Sequence, residues 1–467
     1  MRVSNYNIVL PFKNRNDYLI IQGGRGSFDV VDKNIADCMN GETSLEDSGI
    51  TKENLQTLAR RGYITNQTEE QEFAFIHKLC KTMNEYSRRI IQITLLPTYN
   101  CNFRCEYCFE HNLQKNGSDW LAAKMTKEIV DAVFGQIDRF KEEGRKVKSI
   151  CLFGGEPLLR SSRNIVEYIC AKAMEAELPV ECISNGYDLD KYLDLTANFT
   201  YVQITLDGIG IEHDIRRYLV GGQGTFDQIT KNIDLALANG TRIVLRSNVN
   251  RKNIDSVGRL IDFYHKKGWT ENPLFTYYFK STINCYDPPK DRYSDVELMQ
   301  VLAEKFPGEM EKFKFNSIYH GITQRIYSML VDSSYAPMRS GYCGAMLGMY
   351  SVDPFGDIYP CWDMLSDKTE VIGKVNIEEG RFEFNGNHDR WKLRTVDKIS
   401  DCHDCKYLLF CGGGCAAQAK VMHNDMNKVY CDNFQKLFDQ AAIETCEGFL
   451  SQTEKSRDTC AANEDDD

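Results

Sequence analysis

Three cysteines that could bind a metal cluster lie close together in residues 98–110: Cys101, Cys105 and Cys108. The spacing C-x3-C-x2-C supplies three thiolates. Three thiolates hold three corners of a cubane 4Fe–4S cluster and leave one iron open, whereas a structural zinc site is closed by four protein ligands. An open iron can bind a substrate or cofactor and pass an electron to it.

The segment allows two other interpretations. A zinc site would need a fourth ligand, and His111 could supply one, so zinc is an alternative that spacing alone leaves open. Packing of all three cysteines in a hydrophobic core is disfavoured, because Arg104 and Glu106 lie between them and charged residues are rarely buried.

A second motif follows in residues 149–157, where an apolar run ends in Gly-Gly-Glu-Pro. We expect a strand and then a turn. Gly154 and Gly155 have no side chain and would let the backbone approach a ligand closely. The carboxylate of Glu156 can accept hydrogen bonds from an ammonium group. Such a turn is a weak signal alone and gains weight from the three-cysteine segment upstream.

The two motifs together resemble the radical S-adenosylmethionine (SAM) superfamily, and Tyr107 before the last cysteine also fits. The resemblance implies that SAM chelates the open iron through its amino and carboxylate groups. An electron from the cluster then cleaves the sulfonium, and the resulting 5′-deoxyadenosyl radical abstracts a hydrogen atom. It also implies that residues of the turn hold the SAM methionine: Gly154, Gly155, Glu156 and Pro157.

Composition narrows the class of protein. The chain has 467 residues, a net charge of −11 and 18 cysteines. No basic stripe argues for nucleic acid, and no long apolar run argues for secretion or a membrane span. We therefore expect a cytoplasmic protein that binds neither nucleic acid nor membrane. Clustered cysteines in a reducing compartment more often bind metal than form disulfides.

Residues 1–85 carry no metal-binding pattern. Apolar runs predict strands at residues 6–12, 17–21 and 27–31, followed by helices at 31–39, 50–61 and 69–82, with Gly62 as a helix stop. This order resembles the winged-helix precursor-recognition domain of peptide-modifying enzymes. The resemblance implies that a precursor peptide's leader binds there as an added strand. An ordinary N-terminal cap on the next domain is the alternative.

Residues 86–280 alternate predicted strands and helices. Strands are predicted at 90–96, 149–153, 180–183, 201–206, 242–247 and 274–279, and helices at 120–139, 162–176, 226–238 and 254–267. This alternation implies right-handed βαβ units and a parallel sheet. The six units match the partial (β/α)6 barrel of the radical SAM family. The cysteine loop and the Gly-Gly-Glu-Pro turn both follow strands, at the rim where barrels place their chemistry.

Further polar residues lie at the ends of the later predicted strands. In radical SAM proteins such residues contact the ribose and carboxylate of SAM, so the resemblance assigns cofactor binding to Asn185, Thr205, Ser247 and Arg217. Arg217 could pair with a carboxylate. For each residue, a turn or surface position is the alternative.

Residues 281–338 predict a mainly helical connector, and a second field of cysteines follows in residues 339–450. The spacing is C-x12-G-x4-C and then C-x2-C-x5-C-x3-C-x15-C. It resembles the SPASM domain, which holds two auxiliary 4Fe–4S clusters. The resemblance assigns Cys402, Cys405, Cys411 and Cys431 to the distal cluster, and Cys343, Cys361 and Cys415 to the nearer one. One or two zinc sites are the alternative, and residues 451–467 predict a flexible acidic tail.

Two departures from the family pattern affect the chemistry. Some relatives carry another cysteine soon after the first, but residues 344–350 contain none. Either Cys285, Cys182 or Cys446 completes the nearer cluster, or one of its irons is open to a substrate thiolate. Sulfatase maturases use an aspartate directly after the second cysteine as a base, whereas here Trp362 separates Cys361 from Asp363. Asp363 is therefore only a candidate catalytic base.

The sequence thus predicts an α/β fold: a partial (β/α)6 radical SAM barrel with an N-terminal winged-helix-like domain and a C-terminal SPASM domain. The resemblance implies a maturase that abstracts hydrogen from a ribosomally made precursor peptide and installs a thioether. Flavodoxin or ferredoxin would donate electrons. The alternatives are carbon–carbon crosslinking, formylglycine formation as in sulfatase maturases, or a non-catalytic zinc or electron-transfer protein.

Overall fold

The computed structural model describes residues 1–282, 291–309, 318–332, 334, 336–365 and 367–464. Its strands are β1 Arg2–Val3, β2 Asn7–Pro11, β3 Tyr18–Gln22, β4 Ser27–Val31, β5 Ile64–Thr65, β6 Ile90–Leu95, β7 Lys146–Leu152, β8 Val180–Ile183, β9 Tyr201–Thr205, β10 Ile243–Val249, β11 Phe275–Ser281, β12 Met349–Val352, β13 Asp357–Tyr359, β14 Gly373–Asn376 and β15 Arg381–Phe384.

The described α-helices connect and cover these strands. They are α1 Lys33–Met39, α2 Lys52–Arg61, α3 Glu69–Ser87, α4 Ser118–Leu121, α5 Lys127–Glu142, α6 Arg163–Glu175, α7 Leu193–Thr196, α8 Ile211–Asp214, α9 Phe226–Ala238, α10 Ser256–Lys266, α11 Asp295–Lys305, α12 Ile318–Asp332, α13 Gly386–Lys392, α14 Leu408–Cys411, α15 Ala416–His423 and α16 Phe434–Glu464. Within the described ranges, no helix combines the length and apolar character needed to cross a membrane.

The central sheet confirms the predicted barrel. Strands β6 to β11 are neighbours in chain order, and every adjacent pair among them is parallel. Because helices cover a parallel sheet, its strands are buried and rich in β-branched residues, as Ile91, Ile93 and Leu95 of β6 illustrate. The carboxyl ends of these strands therefore meet at one rim.

One predicted helix is divided in two. The helix predicted at residues 120–139 is broken between α4 and α5. Met125 donates its backbone N–H to the carbonyl of Pro97 at 2.8 Å, and the Thr98 hydroxyl donates to the carbonyl of Ala123 at 2.9 Å. Thr126 then caps α5 by accepting from the amide of Ile129. The break fastens the start of α5 to the segment that leads into the cysteine loop.

The C-terminal region extends the barrel sheet, a feature that the sequence did not predict. Strand β12 pairs parallel with β6, and β13, β14 and β15 follow in antiparallel order. Among the described residues, ten strands therefore form this sheet. This pairing joins the second cysteine field directly to the first barrel strand, which carries the three-cysteine loop at its end.

The N-terminal region contains the predicted three strands and three helices. Strands β2, β3 and β4 form an antiparallel sheet, and α2 ends at Gly62, whose φ of 88° is left-handed. One face of this sheet, including Ile8 and Leu19, packs against Phe410 and Phe438 of the C-terminal region. The first and last parts of the chain therefore share a hydrophobic core.

Candidate functional site

The three-cysteine loop follows β6 at the carboxyl rim of the barrel. Phe103 forms a β-bridge with Leu219, and the amide of Arg104 donates to the carbonyl of Tyr218 at 2.8 Å. These contacts fasten the loop to the segment after α8. Its three thiols line one cavity of about 330 Å³. Burial raises the pKa of each thiol, that of Cys108 to about 12.

Tyr107, between the second and third cysteines, anchors the loop to neighbouring strands. Its hydroxyl donates to the carboxylate of Asp207, which follows β9, and accepts from Arg217 Nη1 at 2.7 Å and Asn248 Nδ2 at 3.1 Å. Asp207 is fully buried and also accepts from the amide of Asn248 at 2.7 Å. The phenol thus connects the loop to the ends of β9 and β10.

The Gly-Gly-Glu-Pro turn follows β7 and packs on the start of the cysteine loop. Gly154 and Gly155 have φ values of 78° and 51°, which favour glycine. A Cβ on Gly155 would lie 2.4 Å from the carbonyl oxygen of Asn100. The nearest neighbours of these glycines are thus the protein's own residues before Cys101. Their lack of side chains lets the two loops touch, and both glycines also line the cavity.

Glu156 is a buried anchor within this turn. Its Oε1 accepts from the hydroxyl of Ser184 at 2.7 Å and the amide of Leu158 at 2.9 Å, and its Oε2 accepts from the amide of Asn185 at 2.6 Å. Burial raises its pKa to about 7. Glu156 lines the cavity while holding the segment after β8, and Pro157 is buried behind it.

The structure brings three of the four other predicted cofactor residues to the cavity. Asn185, Thr205 and Arg217 line its wall. Ser247 is buried but does not line the cavity, and its hydroxyl is 3.2 Å from that of Tyr264 on α10. Side chains alternate along a strand, so the residues on either side of Ser247 face the cavity: Arg246 and Asn248.

Sequence reasoning missed several cavity residues. Glu110, two positions after the last cysteine, accepts from the amide of Gly155 at 2.8 Å, while its buried Oε1 has no hydrogen-bond partner among the described residues. Burial raises its pKa to about 7. Lys280 and Thr282, at the end of β11, also line the cavity, and the buried Thr282 hydroxyl has no described partner. Strand parity along β10 could have pointed to Arg246 and Asn248, but no sequence signal marks Glu110 or Thr282.

The residues that line the cavity are chemically suited to a 4Fe–4S cluster and SAM. Three cysteine sulfurs are soft donors suited to iron–sulfur clusters. The volume lies within the range of small-ligand sites. Glu110 Oε1 and Thr282 Oγ1, which have no hydrogen-bond partner in the described part of the chain, could form hydrogen bonds to a polar ligand. Cys101, Cys105 and Cys108 would hold the cluster, and the polar wall would hold SAM.

The second cysteine field divides into two groups of mutually interacting thiols. The negative charge that Cys411, Cys405 and Cys431 would carry contributes to raising the pKa of Cys402, after burial. After burial, the negative charge that Cys343 would carry contributes most to raising the pKa of Cys415. The assignment of Cys402, Cys405, Cys411 and Cys431 to one cluster, and of Cys343, Cys361 and Cys415 to the other, stays a prediction.

A run of three glycines brings the separate segments of this field together. Gly412 and Gly414 have φ values of 74° and 73°. A Cβ on Gly412 would lie 2.6 Å from the backbone of Gly341, and one on Gly414 would lie 1.8 Å from the carbonyl oxygen of Tyr430. The segments before Cys343 and Cys431 therefore pack directly on the loop between Cys411 and Cys415. Side chains there would separate the cysteines.

Asp363 lies between the two chemical regions. It lines the cavity together with Trp362, and its charge contributes to raising the pKa of both Cys343 and Cys415. The insertion of Trp362 after Cys361 therefore leaves Asp363 at the cavity wall. Trp362 stacks on Phe153, with ring centroids 4.9 Å apart, and donates to the Thr94 hydroxyl at 3.1 Å.

The candidates for a fourth ligand of the nearer cluster lie in different places. Cys182 is buried in the barrel on β8, where burial and then the charge that Glu156 would carry raise the pKa of its thiol. Cys446 is buried on α16 in the core shared with the N-terminal sheet. Cys285 lies outside the described residues.

No group of three or more His, Cys, Asp or Glu side chains among the described residues is arranged to hold a single metal ion. A cubane cluster differs from a single ion because each thiolate binds a different iron.

Known proteins resemble this chain in sequence. Residues 95–264 match the Radical SAM superfamily. The chain is 23% identical over 363 residues to the cysteine-type anaerobic sulfatase-maturating enzyme of Clostridium perfringens, an alignment covering 73% of this chain and 93% of that protein.

Two solved structures share the fold. The structure of anSMEcpe with bound AdoMet has a TM-score of 0.59 at 17% identity and covers 76% of this chain and 98% of that one. Streptococcus suis SuiB bound to precursor peptide SuiA has a TM-score of 0.51 at 14% identity and covers 92% of this chain and 98% of that one. The part of the chain that carries the three-cysteine loop and the Gly-Gly-Glu-Pro turn at the barrel rim is therefore a Radical SAM domain, of the superfamily that uses S-adenosylmethionine and a 4Fe–4S cluster.

Proposed function

We propose that this enzyme modifies a ribosomally made precursor peptide by abstracting a hydrogen atom and forming a thioether. The observation that carries the proposal is one cavity wall that joins the three-cysteine loop to Asp363, beside Cys343 and Cys415. A substrate in this cavity would contact the three-cysteine loop and Asp363, whose charge acts on the auxiliary Cys343 and Cys415. The cysteine-type sulfatase-maturating relative and the SuiB–SuiA structure support a peptide substrate by analogy.

The domain limits 1–85, 86–280, 281–338, 339–450 and 451–467 are part of this proposal. In it, the N-terminal domain binds the leader at the open edge of β4. Strand β4 pairs with β3 on one side only among the described strands. Arg61 Nη2 donates to the carbonyl of Phe28 at 2.9 Å, and Val30 is 42% exposed. An extended leader would pair with this edge by β-augmentation and displace the Arg61 contact.

The cofactors account for the hydrogen balance of the thioether. Cys101, Cys105 and Cys108 would hold the first cluster beside SAM, which would supply the chemistry for removing one hydrogen atom, and clusters held by the auxiliary cysteines would accept the electron released on coupling. The peptide thiol gives up its proton as the carbon–sulfur bond forms. Asp363 is placed at the cavity wall to take that proton. The peptide thus loses two hydrogens per crosslink, and flavodoxin or ferredoxin would supply electrons from outside.

The nearer cysteine group favours sulfur as the coupling partner. Within the motif it provides Cys343, Cys361 and Cys415, while Cys182 is buried on β8 near Glu156 and Cys446 is buried in the core shared with the N-terminal sheet. An iron left open beside the cavity would bind a substrate thiolate, since cysteine sulfur is a soft ligand. Replacing Cys285 tests the remaining protein candidate. If Cys285→Ala keeps the wild-type iron content and the wild-type reduction potential of the nearer cluster, the open iron is supported. If iron is lost or the reduction potential shifts, Cys285 is the fourth ligand.

Co-expression with a small cysteine-rich peptide encoded beside this gene tests the function. A thioether lowers the peptide mass by two hydrogens and removes one alkylatable thiol. Carbon–carbon crosslinking lowers the mass equally but leaves every thiol alkylatable. An unmodified peptide with fully reduced, SAM-cleaving enzyme would count against the proposal for that precursor.

Formylglycine formation is the second candidate, favoured by the position of Asp363 on the cavity wall. It would convert a cysteine into an aldehyde, so sulfur would be lost from the peptide. Mass spectrometry with an aldehyde-reactive probe separates this product from a thioether. Iron and sulfide analysis addresses the zinc alternative: three clusters require about twelve irons per chain with matching sulfide.

A further inference from the structure

Arg394, which follows α13, is a buried cation in the second cysteine field. Its residue is 2% exposed. Within the described ranges it forms no salt bridge with a carboxylate, although neighbouring Arg390 pairs with Glu370. A buried charge without a partner is costly, because its hydration is lost and nothing of opposite sign replaces it. A negatively charged group close to Arg394 would therefore stabilise the fold.

The hydrogen bonds of Arg394 use all five of its N–H donors. Nε donates to the carbonyl of Met426, Nη1 to the carbonyl of Gly414 at 3.1 Å, and Nη2 to the carbonyls of Gly413 at 3.3 Å and Lys428 at 3.1 Å. The fifth contact runs from Nη1 to the sulfur of Met346 at 3.7 Å. Neutral acceptors satisfy the donors but do not balance the charge.

These acceptors belong to three of the segments that carry auxiliary cysteines. Gly413 and Gly414 lie between Cys411 and Cys415, and Met426 and Lys428 precede Cys431. Met346 lies three residues after Cys343, and its amide donates to the carbonyl of Cys343 at 3.4 Å. One guanidinium thus contacts segments of both cysteine groups. The charges that Cys415, Cys343, Cys402 and Cys411 would carry all oppose the burial-driven fall in the pKa of Arg394.

We propose that Arg394 is the shared counter-charge of both auxiliary clusters and raises the reduction potential of each. The inference rests on the proposed auxiliary clusters. Reduction adds one negative charge to a cluster, and a nearby buried cation stabilises that charge in a medium of low dielectric constant. Because Arg394 touches segments of both groups, its loss affects both potentials together. It is a positioning and tuning residue that does not contact the substrate.

The test is a redox titration followed by electron paramagnetic resonance. The full-length chain carries Cys101→Ala, Cys105→Ala and Cys108→Ala, which leaves only the auxiliary clusters, about eight irons. Into this background are placed Arg394→Gln, Arg394→Lys and the control Arg381→Gln. Arg381 is a 46% exposed arginine side chain on β15, paired with Glu379 and Glu383. Its replacement removes the same charge where solvent screens it.

The account predicts that Arg394→Gln lowers both midpoint potentials by at least about 59 mV, which for one electron is a tenfold change in the reduction equilibrium. Arg394→Lys keeps the charge and stays closer to the parent protein than to Arg394→Gln. Arg381→Gln leaves both potentials unchanged. If both potentials stay at the parent value in an iron-replete Arg394→Gln protein, the proposal is overturned.

Iron content keeps the test decisive if Arg394→Gln cannot hold its clusters. In that case Arg394→Lys must retain about eight irons and parent-like potentials, because lysine keeps the charge but cannot reproduce the five-bond fork. Equal iron loss in both variants would assign Arg394 to loop geometry alone and overturn the proposal. A parent background without auxiliary iron would instead refute the clusters themselves, which distinguishes the two failures.

Discussion

Glu110 Oε2 accepts a hydrogen bond from the backbone amide of Gly155 at 2.8 Å. This bond joins the end of the three-cysteine loop to the Gly-Gly-Glu-Pro turn. A second bond joins the same loops from the other side, where the amide of Glu156 donates to the carbonyl of Asn100 at 2.8 Å. The two motifs recognised separately in the sequence are therefore one bonded unit at the barrel rim.

Glu110→Ala should weaken SAM binding roughly tenfold, equivalent to about 1.4 kcal/mol, because the amide of Gly155 loses its acceptor. Glu110→Gln keeps an acceptor oxygen and should stay within roughly threefold of the wild type. Anaerobic calorimetry with SAM measures both. Wild-type affinity in Glu110→Ala would show that the turn does not depend on this bond.

Tyr107→Phe should lower the free energy of unfolding by about 1–3 kcal/mol, because buried Asp207 and Arg217 lose a shared partner. Tyr168→Phe is the matched control: it removes one tyrosine hydroxyl, which donates to the exposed Asp131 at 2.7 Å. We expect less than about 0.5 kcal/mol there. Denaturant titration of the two proteins without cofactors compares them, and equal losses would refute the anchoring role of Tyr107.

Replacing two adjacent residues of β10, Ser247 and Asn248, should have different effects on SAM affinity. Asn248→Ala removes contacts to Tyr107 and to Arg246 Nε, which donates to Asn248 at 2.9 Å, so SAM binding should weaken roughly tenfold. Ser247→Ala removes only the contact to Tyr264 and should leave SAM affinity unchanged. The reverse result in SAM titrations would support the sequence-based assignment of Ser247 and contradict the observed strand parity.

Val30→Pro should abolish modification of the precursor peptide while leaving SAM cleavage in the absence of peptide unchanged. Proline is tolerated on an edge strand but cannot donate to an added strand. Val30→Ala keeps the backbone N–H and should retain modification. Peptide mass spectrometry and 5′-deoxyadenosine release measure the two activities separately. Normal modification by the proline variant would place the leader elsewhere.

The repeating part of the fold could be predicted from sequence because its signal is local. Strand β8 and helix α9 have the predicted bounds, Val180–Ile183 and Phe226–Ala238. The strands β12 to β15 were missed because they are three or four residues long and are stabilised by pairing with β6 and with each other. Pairing with a strand more than two hundred residues away leaves no periodic pattern.

The site could be predicted only where a motif marks it. Cysteines and glycines have restricted uses, so Cys101 and Gly155 were identified from spacing. Glu110 and Arg394 were not, because single charged residues are usually solvated on the surface. Their roles follow from burial and from contacts between distant segments, which only the folded chain creates. Ser247 was chosen over its neighbours because polar character was used without the alternation of β10.

The central claim is that Cys101, Cys105 and Cys108 hold a cluster with one open iron that binds SAM. The most direct measurement mixes reduced, reconstituted enzyme with SAM under anaerobic conditions and quantifies 5′-deoxyadenosine. The account predicts its release by the wild type and none from a Cys105→Ala variant that keeps its auxiliary iron. Equal release from both, or none from an iron-replete wild type, would contradict it.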